Sequence, residues 1–214
     1  MSTLTAPSHA ALMDETYRHQ RHIYDATRRF FLLGRNRLIA RLDPPPRGHV
    51  LEIACGTGRN LALAAECYPG RRLYGLDISP QMLRSARRRL GSRAVLAEAD
   101  ACDFDALRAF GIARFERIIL SYSLSMIPDW PRALRAAADH LAPGGQLHVV
   151  DFGDQAGLPE WFRRALRGWL ARFHVEPRHD LGDALSREAA RIGGAARWES
   201  LYGDYARYGV LTRA

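Results

Sequence analysis

Lysine is missing from this sequence. All 31 basic side chains are arginine, a skew that fits a codon bias and by itself excludes no function. Cysteine is scarce: Cys55, Cys67 and Cys102 form no CxxC pair and have no histidine at matching spacing, which argues against a disulfide framework or a zinc site and predicts buried, reduced thiols. Long apolar runs are lacking too. Stretches such as "RIILSYSLSMI" (117–127) fall well short of the roughly 20 residues a membrane span needs. The opening "MSTLTAPSHAALMDETYRHQ" has no apolar signal-peptide stretch behind a basic end, so a cytoplasmic location is expected. No internal repeat or low-complexity tract is present.

What is present is a core and a charge. With 47% hydrophobic residues, the 214-residue chain can bury a full interior, and its length fits one domain better than two. Against 23 acidic residues the arginines leave a net charge of +8. Such a surface favours an anionic partner: nucleic acid, a lipid headgroup or an acidic substrate. The arginines of "RSARRRLGSR" (84–93) read equally well as part of that surface or as a solvated helix face.

Hydrophobic periodicity makes residues 10–41 helical, and "DPPPRG" (43–48) ends that pattern because proline removes a donor and disfavours helix before it. Beyond the break, strands are expected at 49–54, 72–76, 94–98, 116–121 and 146–152. Helices are expected at 59–67, 80–90, 104–110, 131–141 and 159–174. Alternation of this kind implies an α/β fold with a mostly parallel sheet covered on both faces. "ARWESLY" and "YARYGVLTRA", joined by "GD", read as a closing antiparallel hairpin. The expected organisation is one domain over 1–214, with an N-terminal helical segment (1–43) and an α/β core (48–214).

In "VLEIACGTGRN" (50–60) an apolar strand runs into a glycine turn. Ligands of open parallel sheets bind beyond the strands' carboxyl ends. Gly56 and Gly58 let backbone approach a ligand closely, and the following helix offers unpaired N–H groups. Asp77 ends the second strand 19 residues after Gly58, the spacing of an acid that accepts from ribose hydroxyls. A dinucleotide site would want a third glycine where Leu61 stands, which disfavours NAD. S-adenosylmethionine has no phosphate and carries an ammonium and a sulfonium, so its site needs acceptors. Glu52, an acid inside an apolar strand, supplies one.

These residues resemble the class I S-adenosylmethionine-dependent methyltransferases. "VLEIACGTGRN" is similar to the family's first motif, "LYGLDISPQML" to its ribose-binding segment, "AEADACDF" to its adenine-binding loop, "IILSYSLSMI" to its fourth strand and "LAPGGQLHVVDFG" to its fifth. The resemblance implies a Rossmann-like, seven-stranded sheet with an antiparallel last strand, and S-adenosyl-L-methionine as cofactor. It implies that Glu52, Gly56, Gly58 and Asn60 surround the methionine part and that Asp77 binds the ribose diol. Ile78 and Met82 would flank the adenine, Asp100 and Ala101 would meet its edge, and Ser121 and Tyr122 would lie beside the methyl group.

The front segment, "YRHQRHIYDATRRFFLLGRNRLI" (17–39), resembles bacterial BtaB-type enzymes that trimethylate diacylglyceryl-homoserine to a betaine lipid and, more loosely, soluble phosphatidylethanolamine N-methyltransferases. On that resemblance the segment closes over the cofactor, with Tyr24 covering it and Arg35 pairing its carboxylate. The implied substrate is a lipid at an anionic membrane surface, with peripheral contact at the inner face of the membrane and no specific nucleic acid partner. "LPEWFRRALRGWLARFHV" (158–175) interleaves Leu158, Trp161, Phe162, Leu166, Trp169, Leu170 and Phe173 with arginines, as an interfacial helix does; a helix packed on the sheet with arginines outward has the same pattern.

An amine acceptor must be neutral to attack, so a proton must leave before each transfer. Tyrosine faces accommodate a growing methylammonium through cation–π contact, and of Tyr17, Tyr24, Tyr122, Tyr202 and Tyr205 we expect Tyr24 and Tyr122 to line the methyl-transfer site. His19 and Asp151 are the candidate bases, with water as an alternative. A soluble amine, a quinone precursor or phosphatidylethanolamine stands as another substrate, and a non-catalytic RNA-binding module is the competing class.

Overall fold

The computed structural model of the protein describes residues 32–173 and 175–214. Within them the chain runs α1 (Arg35–Ala40), β1 (His49–Ile53), α2 (Arg59–Cys67), β2 (Arg72–Asp77), α3 (Pro80–Leu90), β3 (Ala94–Glu98), α4 (Ala106–Phe110), β4 (Phe115–Ser121), α5 (Trp130–Asp139), β5 (Leu141–Phe152), α6 (Glu160–Ala171), α7 (Leu181–Arg191), β6 (Ala195–Leu201) and β7 (Ala206–Thr212). The strands form one sheet in the order β3-β2-β1-β4-β5-β7-β6. From β3 to β5 neighbouring strands are parallel, whereas β7 runs antiparallel to both β5 and β6. This is the Rossmann-like methyltransferase architecture that the motifs imply.

Chain order reverses between β1 and β4, so the crevice of the sheet opens there. Register aligns its rim: Ile53 pairs with Leu76 on one side and Leu120 on the other. The residues that follow, Ala54, Asp77 and Ser121, therefore emerge side by side. Val50, Leu51, Glu52 and Ile53 are all buried, as expected of a central parallel strand covered on both faces.

Two apolar layers cover the sheet. Leu38, Leu61, Leu83, Leu166 and Leu170 from α1, α2, α3 and α6 pack on one face, and Ala106, Leu134, Ala137, Leu185 and Ala189 from α4, α5 and α7 on the other. Helix starts follow local chemistry. The Ser79 hydroxyl accepts from Met82 N–H at the head of α3, with a proline in the first turn, and Asp105 and Asp129 accept in the same way at α4 and α5.

Several expectations need correction. Of the helix expected over 10–41, residues 10–31 lie outside the described residues; within the described ones, α1 starts only after Gly34, at φ 84°. α4 begins at Ala106 because Asp105 is its cap, and β5 begins at Leu141 with an irregular register against Phe115 and Arg117. The hairpin turn spans Tyr202–Tyr205 and is wider than the expected "GD". Helix α7 has no counterpart in the periodicity reading. Of the thiols only Cys55 is buried, while Cys67 is exposed and Cys102 is half-buried.

Candidate active site

The glycine turn after β1 is held open by its own backbone. Gly56 has φ 55° and Gly58 φ 72°, and Ala54 before them also adopts a positive φ of 55°. A Cβ on Gly58 would lie 2.7 Å from Leu90 Cδ1, so both conformation and space exclude a side chain there. Gly58 starts α2 with no side-chain cap, which leaves the helix's first N–H groups directed at the crevice. From α3, the Arg89 guanidinium donates to Thr57 O and to Thr57 Oγ1, each at 2.7 Å. At least one arginine of the 84–93 cluster thus works within the molecule.

Asp77 ties the first crossover to the second. Its Oδ2 accepts from Gly56 N–H at 2.7 Å and its Oδ1 from Ser79 N–H at 2.9 Å. A carboxylate oxygen can accept more than one hydrogen bond, the chemistry a ribose diol asks for. Glu52 is buried and its Oε1 accepts from Asn60 Nδ2 at 2.6 Å.

Two cavities open along this rim and share Ala54 and Gly56. The larger, of about 270 Å³, has Asp77, Ile78, Met82, Asp100 and Ala101 on one side and Tyr122, Ser123, Met126 and Ile127 on the other. Its apolar walls suit a flat ring, and its acids lie at the ring's polar edges. The smaller, of about 50 Å³, is lined by Glu52, Asn60, Ser121, Arg35 and Arg59, an acid–base pairing suited to a zwitterionic amino-acid group. Among the described residues, Asn60 Oδ1, Ser121 Oγ and Ser123 Oγ are buried oxygens with no hydrogen-bond partner. Leaving such groups unsatisfied costs about 1–3 kcal/mol each, and all of them line the cavities, where a polar guest offsets that cost.

The site therefore gathers Arg35, Glu52, Gly56, Asn60, Asp77, Ile78, Met82, Asp100, Ala101, Ser121 and Tyr122, with Gly58 packed behind the turn. Tyr17, His19 and Tyr24 lie outside the described residues. Arg59, Ser123 and Met126 were missed by motif reading, although Arg59 sits inside the first motif. Asp100 is exposed and its Oδ1 also accepts from Cys102 N–H at 2.8 Å, closing its own turn.

Tyr122 and Asp151 are both tied into the fold, and only the expectation for Asp151 changes. The Tyr122 ring is buried, its hydroxyl donates to Leu33 O, and burial pushes its pKa well up, with Tyr205 and Asp151 adding to the shift. Tyr122 lines the cavity but spends its phenol on anchoring residue 33. Asp151 is 0% exposed, and its oxygens accept from Ser125 N–H at 3.1 Å and Phe152 N–H at 2.8 Å. Burial raises its pKa; the group fixes a loop and is not poised as a base. Tyr205 is buried with its pKa pushed up to about 12 by desolvation, while Tyr202 is exposed.

Residues 50–145 match the methyltransferase domain family. Residues 50–145 of the chain thus carry a methyltransferase domain. It is 31% identical over 147 residues to nocamycin O-methyltransferase of Saccharothrix syringae, covering 68% of this chain and 52% of that protein. Trans-aconitate 2-methyltransferase of Streptomyces avermitilis is 32% identical over 177 residues, covering 77% and 65%. The chain thus spans about half to two-thirds of the length of these relatives. In fold it is similar to Haemonchus contortus phosphoethanolamine N-methyltransferase 2 in complex with phosphomonomethylethanolamine and S-adenosylhomocysteine, at a TM-score of 0.71 and 21% identity, covering 92% of this chain and 47% of that one. The residues present fit S-adenosylmethionine: acids where its hydroxyls and ammonium would fall, arginines where its carboxylate would, and unsatisfied oxygens along its length.

Proposed function

We propose that this chain is an S-adenosylmethionine-dependent N-methyltransferase whose acceptor is the amine of diacylglyceryl-homoserine, converted to the trimethylated betaine lipid. The observation that carries the methyl-transfer part is the rim itself: Asp77, the glycine turn and the Glu52–Asn60 pair, brought together by strand register around two adjoining cavities. The cofactor, when bound, supplies an activated methyl on a sulfonium. The chain's own residues bind, orient and exclude water, which accounts for much of the rate in a displacement between well-placed partners. Since Asp151 is spent on structural hydrogen bonds, the amine attacks in its neutral form and the methylated ammonium so formed then gives up its proton to water.

The lipid part rests on the resemblance of residues 17–39 and on the surface of α6. That helix turns Leu166 and Leu170 into the core, with Leu158, Phe162, Trp169 and Phe173 packed against it, so most of its apolar stripe is used internally. What remains outward is Trp161, 73% exposed, with the exposed Arg164 three residues further along the helix, whereas Arg167 donates to Gln155 Oε1 and Asp154 O. An aromatic beside an arginine suits an anionic lipid surface. Among the described residues no helix is long and apolar enough to cross a membrane, in keeping with surface contact.

The test supplies labelled S-adenosylmethionine and the purified chain with vesicles containing diacylglyceryl-homoserine or phosphatidylethanolamine, with trans-aconitate, or with soluble phosphoethanolamine. Label in the homoserine lipid supports the proposal. Label confined to a soluble acceptor removes the lipid and leaves the methyltransferase.

A further inference from the structure

The wall of the nucleoside cavity opposite Asp77 is a loop, residues 122–129, between β4 and α5. It has little regular structure of its own: Met126 N–H and Ile127 N–H both donate to Ser123 O, at 3.0 and 3.1 Å. Its remaining fixed points come from elsewhere in the chain. Asp151 accepts from Ser125 N–H, and Glu176 N–H donates to Ser125 O at 2.9 Å. Arg178, in the segment leading to α7, does the most. Its Nε donates to Leu124 O and its Nη2 to Ile127 O, each at 3.0 Å, while Nη1 meets Glu176 Oε2 at 3.1 Å. The guanidinium carbon lies 5.9 Å from the Trp130 ring centroid, and the side chain is only 15% exposed.

We propose that Arg178 is a positioning residue for the cofactor: its planar fork fixes the spacing of the Leu124 and Ile127 carbonyls and so holds Ser123 and Met126 against the nucleoside. The inference rests on the cavity being the nucleoside half of the cofactor site. Two parallel donors at fixed separation are what arginine offers and lysine does not, and no other described residue grips both carbonyls. Removing the fork frees the loop to drift from the cavity while the sheet beneath, which Arg178 does not pair with, stays in place. The same clamp connects the far end of the chain, past α6, to the cofactor wall.

The experiment compares wild type, Arg178→Gln and Arg178→Lys in calorimetric titrations with S-adenosylhomocysteine and with adenosine alone, beside the unliganded thermal midpoint. Arg187→Gln, an exposed site on α7, serves as the control. The expected result is about tenfold weaker binding of both ligands by both variants, with faster hydrogen exchange at 125–127 and the control unchanged. An equal loss for adenosine places the defect in the nucleoside wall, which general destabilisation of a still-folded protein would not do. Arg178→Lys keeps the charge and the aliphatic stem, so it decides the question if the Gln variant does not fold. Wild-type affinity in folded Arg178→Lys overturns the proposal. If wild type itself binds neither ligand, the cofactor reading fails first, and exchange at 125–127 still reports on the clamp.

Discussion

At the scale of single residues, the site is made by side chains that do two jobs. Asp77 was legible from its spacing to the glycine turn, but spacing hid that both its oxygens already hold backbone N–H groups. Asp77→Asn keeps one acceptor oxygen, so one of those N–H groups loses its partner as the ribose loses a carboxylate. We expect S-adenosylhomocysteine affinity to fall by at least about tenfold in calorimetry; unchanged affinity would remove the ribose assignment. Ala54 and Tyr122, at φ 55° and 54°, are non-glycine residues in the left-handed region, one directly beyond β1 and the other at the first position of the cavity loop. Strain of this kind persists where surrounding structure enforces it, commonly at binding sites. No local pattern announced it. Tyr122 lines the cavity with its ring, as the tyrosine-face expectation has it, while its hydroxyl, in an environment set by Leu33, Asp151 and Tyr205 from distant segments, anchors residue 33, which no local pattern shows.

At the scale of elements, periodicity was enough for β1 to β4 and for α2 and α3, whose apolar residues recur cleanly. It failed for α7. There only Leu181 and Leu185 are large apolar residues among the buried positions, the others being Gly182, Ala184, Ala189 and the charged Glu188, so the stripe "LGDALSREAAR" is muted, and its burial depends on Trp198 and β7. The glycine missing from the dinucleotide fingerprint has a structural answer. Leu61 occupies that position in α2, and a Cβ on Gly75 of β2 would lie 2.7 Å from Leu61 Cδ1 and 2.9 Å from Cys55 Sγ. The space was moved from helix to strand. Gly75→Ala is therefore expected to destabilise by about 1–3 kcal/mol, read as a lower denaturation midpoint, and an unchanged midpoint would contradict this packing. Between β5 and β7, His148 is buried against Tyr208 Oη at 2.8 Å and Gln146. Burial, with Arg117 and Arg197 adding, lowers its pKa from 6.5 to about 3. With the folded value below the unfolded one, the unfolded chain binds the extra proton. The contribution is thus complete above pH 6.5 and is lost as pH falls towards 3, by at most about 1.4 kcal/mol per pH unit. Urea titrations from pH 7 to 4 are expected to show a shallower decline for His148→Gln than for wild type; parallel curves would exclude His148 as the source.

At the scale of the whole molecule, the net charge of +8 is partly employed inside. Arg89 braces the glycine turn, Arg207 bridges Asp154 and Asp204 near the hairpin turn, and Arg191 joins Asp139 to Glu188. Composition alone cannot tell such arginines from a partner-binding surface, because the difference lies in which carbonyls and carboxylates the fold brings near. For the lipid reading, the full chain should sediment with anionic vesicles and release as salt rises, with Trp161→Ala weakening the association. Retention on RNA but not on vesicles at physiological salt would reverse that reading and leave the cofactor site untouched. The central claim is that the crevice between β1 and β4 holds S-adenosylmethionine. Its most direct test is calorimetric titration of the purified full chain with S-adenosylhomocysteine, with NAD in parallel. Saturable binding of the former at one site per chain, and none of the latter, is the predicted result; a folded protein that takes up no S-adenosylhomocysteine would contradict it.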